Sequence, residues 1–245
     1  MIPTVGLYRD PRHRYYWNGD GPLAGVTTIT RILNAPGLNW WDKEQVARHA
    51  IEDAELLVTM RDRGDSEAAV KYLLSRRDYG DAARERGTDF HQIAEQIDLG
   101  GEPEIPEYLD LEVRGYREWL AKTQPRFIAI EAMVCNLTYG YGGTADRWAT
   151  IDGQVWLLDI KTSRTVVDAR GRVYRDHRLQ LAGYNGAEFI GKVNDPVQYP
   201  LPSTERFGII HVTAEGTQLY EAPVGKADWV AFVSALGLYR WQEAA

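Results

Sequence analysis

Three residues near the middle of the chain have the types and spacing for chemistry: Asp146, Asp159 and Lys161, within the stretch YGGTADRWATIDGQVWLLDIK from Tyr141 to Lys161. Asp159 and Lys161 are two apart, so on a strand they share a face. Asp152-Gly153 suits a tight hairpin turn, because both residues tolerate the positive φ it demands. Folding the two arms together brings Asp146 toward the Asp159 face, with the register left open. Two carboxylates converging at a strand end make a hard oxygen site of the kind Mg2+ and Mn2+ prefer. A neighbouring lysine can hold or deprotonate a water, or offset charge building on a phosphate. That combination suits metal-assisted hydrolysis of a phosphodiester. The plainer alternative is a surface hairpin with an Asp–Lys pair at its rim. The ordered run of Gly-Gly-Thr-Ala-Asp, an apolar strand and Asp-Ile-Lys-Thr-Ser weighs against it.

The elements around these residues must position them. Gln154–Ile160 is nearly all apolar and reads as a buried central strand. Phe127–Cys135 reads as the strand before the hairpin. Its cleaner apolar set is Ile128, Ile130, Ala132 and Val134, which leaves Glu131 either solvent-exposed or pointing into the site. Residues 81–99 read as a helix with Ala83, Phe90, Ala94 and Ile97 on one face. His91 and Glu95 share a side of it; His91 is either a metal ligand or a partly buried, hydrogen-bonded histidine. A helix follows over 108–122. Residues 177–190 read as another, placing Gln180 and Tyr184 one turn apart on one face. They either aim at a phosphate or, for Tyr184, pack on the sheet. Strands over 207–213 and 217–221 and a helix over 226–241, with Trp229, Phe232, Val233, Leu236 and Trp241 in the core, close the chain. Residues 1–30 read as β, with His13–Trp17 and Gly25–Ile29 flanking a turn. A short helix begins at Thr30 and stops near Pro36-Gly37. Helices follow over 39–60, with an apolar stripe from Val46 to Val58, and over 66–77, with Ser66 as N-cap. The whole reads as α/β with a mixed sheet, divided into residues 1–80 and 81–245.

At 245 residues the chain can bury one large core or two small ones. It has no run of about 18 apolar residues, so no transmembrane helix and no membrane partner are expected. Its start lacks a signal-peptide pattern. The single cysteine, Cys135, excludes a disulfide framework and a cysteine-ligated cluster, and a cytoplasmic location follows as the default. The net charge of −7 runs against a basic nucleic-acid-binding surface. The distribution is uneven, however. Lys161–Arg178 carries six basic residues against two aspartates, directly after the candidate site, while acidic residues gather between Asp42 and Glu67. Arg164, Arg172, Arg175 and Arg178 are therefore candidate phosphate contacts, as are Arg84 and Arg86. The Gly-x-x-x-x-Gly-Lys-Ser/Thr pattern of an ATPase is absent.

Gly143-Thr-Ala-Asp146, Asp159-Ile-Lys161-Thr-Ser and Gln180-Leu-Ala-Gly-Tyr184 together resemble the PD-(D/E)XK nuclease superfamily. Within it they look most like the RecB-like exonuclease branch, which includes CRISPR-associated RecB-like exonucleases and phage exonucleases. The likeness spans Gly87 to Tyr184, and Val26-Thr-Thr-Ile29 followed by a proline and a tryptophan is similar to the start of phage members. The resemblance implies a restriction-endonuclease-like core, a central mixed β-sheet flanked by helices, with an N-terminal β-hairpin and helical lobe. It implies a Mg2+- or Mn2+-dependent DNA exonuclease. His91, Asp146, Asp159 and the Ile160 carbonyl would hold the ion, with Glu131 reaching in if there are two. Lys161 would position the water and stabilise transition-state charge, and Gln180 and Tyr184 would hold the DNA strand. The implied setting is recombination, repair or replication in bacterial or phage-infected cytoplasm, with an annealing protein or helicase as companion and a ring-like trimer as one form among relatives. The iron–sulfur cysteines of the CRISPR-associated members are missing. Other readings are a structure-specific or other DNA endonuclease on the same fold, a hydrolase of another phosphate ester, and a non-catalytic nucleic-acid-binding module.

Overall fold

The computed structural model describes residues 3–33, 36–75 and 78–244. The chain forms two compact units, Met1–Leu33 with Asp89–Ala245, and Asn34–Thr88. The expected boundary at residue 80 therefore shifts, and the first 33 residues belong with the larger unit.

That unit begins with the short strands β1 (Leu7–Arg9), β2 (Tyr15–Trp17) and β3 (Asp20–Gly25), followed by helix α1 (Val26–Thr30). Gly25–Ile29 was expected as strand from its β-branched residues. Instead Val26 and Ile29, three apart, are both buried on one helical face. The smaller unit holds α2 (Pro36–Glu52), α3 (Ala54–Asp62), α4 (Ser66–Ser75) and the start of α5 (Asp78–Asp98). Pro36 opens a helix here rather than ending one, since its missing N–H costs nothing at a first turn. The single helix expected over 39–60 is broken at Asp53, whose ψ of 20° leaves the helical range. The last two residues of the helix expected over 66–77 lie outside the described residues.

In the larger unit α6 (Asp110–Thr123) precedes β4 (Arg126–Asn136), β5 (Tyr141–Ile151) and β6 (Gln154–Lys161). Then come α7 (Arg175–Asn185), β7 (Phe189–Lys192), β8 (Asp195–Tyr199), β9 (Arg206–Thr213), β10 (Gly216–Glu221) and α8 (Lys226–Glu243). The helix expected to reach Ile190 stops at Asn185, and Phe189 and Ile190 pair instead with Cys135 and Val134.

One mixed sheet unites the ten strands. Neighbouring residues on β5 and β6 enter opposite layers: Trp148 and Leu157 pack with Leu179 of α7 and Phe232 of α8, whereas Ala149 and Leu158 pack with Phe90 of α5 and Val113 of α6. The architecture is thus α/β, a mixed sheet flanked by helices. Trp241, expected in the core, is 73% exposed. No helix among the described residues is long and apolar enough to cross a membrane.

Strand β5 organises the sheet. Along one edge it pairs antiparallel with β4. On the other, Tyr141 and Gly142 pair parallel with β3, and Arg147–Ile151 pair antiparallel with β6. Residues 143–146 fall between these two partners, where β5 and β6 part. The turn joining β5 to β6 is built as expected, with Asp152 at φ 49° and Gly153 at φ 78°.

Candidate metal centre

The gap beside residues 143–146 is where the candidate residues meet. Ladder pairing of β5 with β6 ends at Arg147–Leu158. Beyond it the Asp146 side chain takes over, accepting the Ile160 N–H at Oδ2 over 2.7 Å. Alternation along β5 also breaks here. Ala145 and Trp148 share one layer although they are three apart, and period two would separate them. On β4 the facing residue, Glu131, has φ 46°, the sole left-handed non-glycine within a strand among the described residues. Such a conformation costs about 1–3 kcal/mol and persists where its surroundings over-determine it. It re-aims the carboxylate, which resolves the two orientations left open for Glu131: the side chain turns inward to His91.

His91 comes from α5. Its Nε2 lies 3.2 Å from the Ile160 carbonyl oxygen, which can only accept, so Nε2 carries the hydrogen. Nδ1 then faces Glu131 Oε1 at 3.7 Å and Asp146 Oδ2 at 3.8 Å. Ligand atoms of these three residues all lie within 4.8 Å of one another. A bare imidazole nitrogen beside two carboxylate oxygens calls for a cation between them. Burial works against charge on His91, yet Asp146 and Glu131 outweigh it and raise its pKa. Without another cation, a proton answers the demand. An imidazole whose other N–H is held by a main-chain carbonyl is the usual form of a metal-ligating histidine. The donor set of one imidazole and two carboxylates therefore fits a divalent ion. The Ile160 carbonyl, expected as a ligand, here orients the imidazole.

Asp159 and Lys161 share a face of β6, as their spacing requires, with Asp159 Oδ2 2.5 Å from Lys161 Nζ. Asp159 is 1% exposed, and Oδ2 has no aligned hydrogen bond. Burial pushes the Asp159 pKa up, Lys161 opposes this, and Asp146 adds to it. Burial disfavours charge on Lys161, but Asp159 and Asp146 prevail and raise its pKa, so the ammonium is held protonated. From α7, Gln180 Nε2 donates to Asp159 Oδ1 at 2.9 Å and to Tyr184 Oη at 2.8 Å. Gln180 and Tyr184 are both buried. Their hydrogen bonds run inward and tie Gln180 to Asp159. Burial first, then the charges of Asp159 and Asp146, push the Tyr184 pKa well up, so its hydroxyl stays neutral. Tyr184 comes this close because Gly143 has no side chain: a Cβ there would stand 2.7 Å from the ring.

The arginines fare differently from one another. Arg172 is bound to Asp168 Oδ2 at 2.7 and 3.0 Å, and Arg178 is paired with Asp228 of α8 at 2.8 Å, tying two helices together. Arg164, three residues after β6, and Arg175, the first residue of α7, are exposed, while Arg84 and Arg86 belong to the Asn34–Thr88 unit.

Sequence reasoning missed the group behind the cluster. Arg147, fully buried, donates from Nε to Asp98 Oδ2 at 2.6 Å and from NH1 to Glu131 Oε1 at 2.9 Å and the Asp146 carbonyl at 2.7 Å. Tyr116 Oη stands 2.8 and 3.0 Å from the two Asp98 oxygens. A signal existed, since adjacent charges sit inside an apolar strand and Asp98 lies seven residues after His91, two turns along one helix face.

No protein-family model matches the chain, and no curated protein matches it. Among solved structures it is similar to the crystal structure of SSO0001, at 17% identity over 89% of this chain and 77% of that one, with a TM-score of 0.35. It is also similar to an alkaline exonuclease, LHK-Exo, from Laribacter hongkongensis, at 10% identity over 63% of this chain and 78% of that one, with a TM-score of 0.36. Both likenesses are loose.

Proposed function

We propose that the chain is a divalent-ion-dependent hydrolase of DNA phosphodiester bonds, an exonuclease of the RecB-like kind within the PD-(D/E)XK superfamily. The observation that carries this reading is the convergence of His91, Glu131 and Asp146 within 4.8 Å at the parting of β5 and β6, beside the buried Asp159–Lys161 pair. Sequence motifs far apart in the chain supply these residues.

His91, Glu131 and Asp146 would hold Mg2+ or Mn2+, with the Asp159 carboxylate, paired with Lys161 Nζ at 2.5 Å, beside them. A divalent ion there would polarise a phosphate and lower the pKa of a water beside it. Lys161, held protonated by its carboxylate neighbours, serves as a fixed positive charge that orients the attacking water and stabilises charge growing on the phosphate. It is not the base. Gln180 and Tyr184 hold Asp159 in place. Arg164 and Arg175, both exposed, would meet the DNA backbone.

The test is Asp159→Ala assayed on linear duplex DNA with Mn2+. Loss of cleavage with the fold retained is the expected result; undiminished cleavage would overturn the site assignment.

A further inference from the structure

Arg147 lies in β5 with no exposed surface. A buried guanidinium requires a charge partner and filled hydrogen bonds. Asp98 supplies the charge, and the strongest form of that pair would be a bidentate fork with two parallel bonds. The structure does not use it. Arg147 gives Asp98 only Nε, at 2.6 Å. NH1 turns the other way, to Glu131 Oε1 at 2.9 Å and the Asp146 carbonyl at 2.7 Å, and NH2 is buried without a hydrogen bond. Two of its three side-chain bonds therefore end on members of the His91–Glu131–Asp146 cluster, at the cost of the better ion pair. An arrangement serving stability alone would close the fork.

We propose that Arg147 is a positioning residue for the divalent-ion site: its guanidinium fixes the Glu131 carboxylate and the Asp146 backbone opposite His91, anchored by Asp98 and Tyr116. Glu131 is long and flexible, and its backbone is left-handed within a strand. The bond to NH1 stops its carboxylate from swinging out of the cluster and sets its 3.7 Å distance from His91 Nδ1. Asp98 in turn is held by Tyr116 through both oxygens, so the anchor reaches from α6 through α5 to the ligand. Partners that orient metal ligands in this way typically govern affinity by about 10–100-fold.

This rests on the divalent-ion reading given above, and calorimetry of Mn2+ binding separates the two. The first variant is Asp98→Asn with Arg147→Met, which removes both buried charges together. Exchanging a buried pair for neutral groups of similar volume commonly preserves the fold. It is expected to melt cooperatively in EDTA and to bind Mn2+ about 10–100-fold more weakly than the wild type. Tyr116→Phe keeps every charge and loosens only Asp98; about a 3- to 10-fold weakening is expected, the worth of one hydrogen bond. If the double variant does not fold, Tyr116→Phe decides. Wild-type Mn2+ affinity in a folded variant overturns the positioning role. Failure of the wild type itself to bind Mn2+ overturns the divalent-ion reading instead.

Discussion

Removing Lys161 should destabilise the protein far more than removing its partner. Asp159 is 1% exposed, and its Oδ2 depends on Lys161 Nζ at 2.5 Å, while Lys161 is 24% exposed. Lys161→Met strands a buried carboxylate, and breaking a buried pair from one side costs about 3–5 kcal/mol. The partial exposure of Lys161 screens the pair and puts the loss near ~3 kcal/mol. For a chain of this size each kcal/mol lowers Tm by about 2–4 °C, so a fall of roughly 6–12 °C in EDTA is expected. Asp159→Asn leaves an ammonium that can turn to water and an amide oxygen that still meets Gln180, so its fall should be no more than about 2–4 °C. The double variant should melt near Asp159→Asn, not at the sum of the two losses. The pH dependence follows from the direction of the Asp159 shift, upward by burial and held back by Lys161. A carboxylate whose folded pKa lies above its unfolded value loses stability as pH rises through that range. The Lys161→Met penalty should therefore be smaller at pH 5 than at pH 8, and Mn2+ should narrow it by supplying the missing charge. Thermal melting in EDTA and in Mn2+ checks this. Equal melting of Lys161→Met and the wild type in EDTA would refute the reasoning.

Three further outcomes are expected. Gln180→Leu takes the donor from Asp159 Oδ1, and a buried carboxylate oxygen left unsatisfied costs about 1–3 kcal/mol; melting and DNA cleavage should both fall. Gly143→Ala places a Cβ 2.7 Å from the Tyr184 ring and 2.9 Å from Val26, an overpacking of about 1–3 kcal/mol; an unchanged Tm would contradict the close approach. Asp168, bonded by Arg172 and by the backbone N–H groups of Arg170 and Arg172, has its pKa lowered to about 2. The order it lends the loop after Lys161 should persist above pH 4 and be lost as pH falls toward 2, readable as a carboxyl NMR titration with its midpoint near 2.

The hairpin at the centre was legible because two local signals agreed: Asp152-Gly153 marked the turn, and the apolar run marked β6. The shared face of Asp159 and Lys161 followed from period two alone. Glu131 was not legible, because its direction depends on a left-handed residue that breaks the alternation on which sequence reasoning rests. Arg147 escaped because its partners come from α5, β4 and the neighbouring residue, and such a convergence exists only in the folded chain. Val26–Ile29 and Phe189–Ile190 were read as the wrong element. Both are short, and packing on the sheet and pairing with β4 override local propensity there. Gln180 and Tyr184 were found as a pair, but the bond from Gln180 to Asp159 follows from burial that spacing does not encode.

The central claim, a divalent-ion-dependent DNA hydrolase centred on Asp146, Asp159 and Lys161, is met most directly by incubating end-labelled linear duplex DNA and closed circular DNA with the protein in Mn2+, Mg2+ or EDTA. The expected result is loss of the linear DNA with either ion, survival of the closed circle, and no loss in EDTA or with Asp146→Asn. Cutting of the circle would contradict the end-directed activity. Intact DNA of both kinds, with folded protein that has bound Mn2+, would contradict the hydrolase itself.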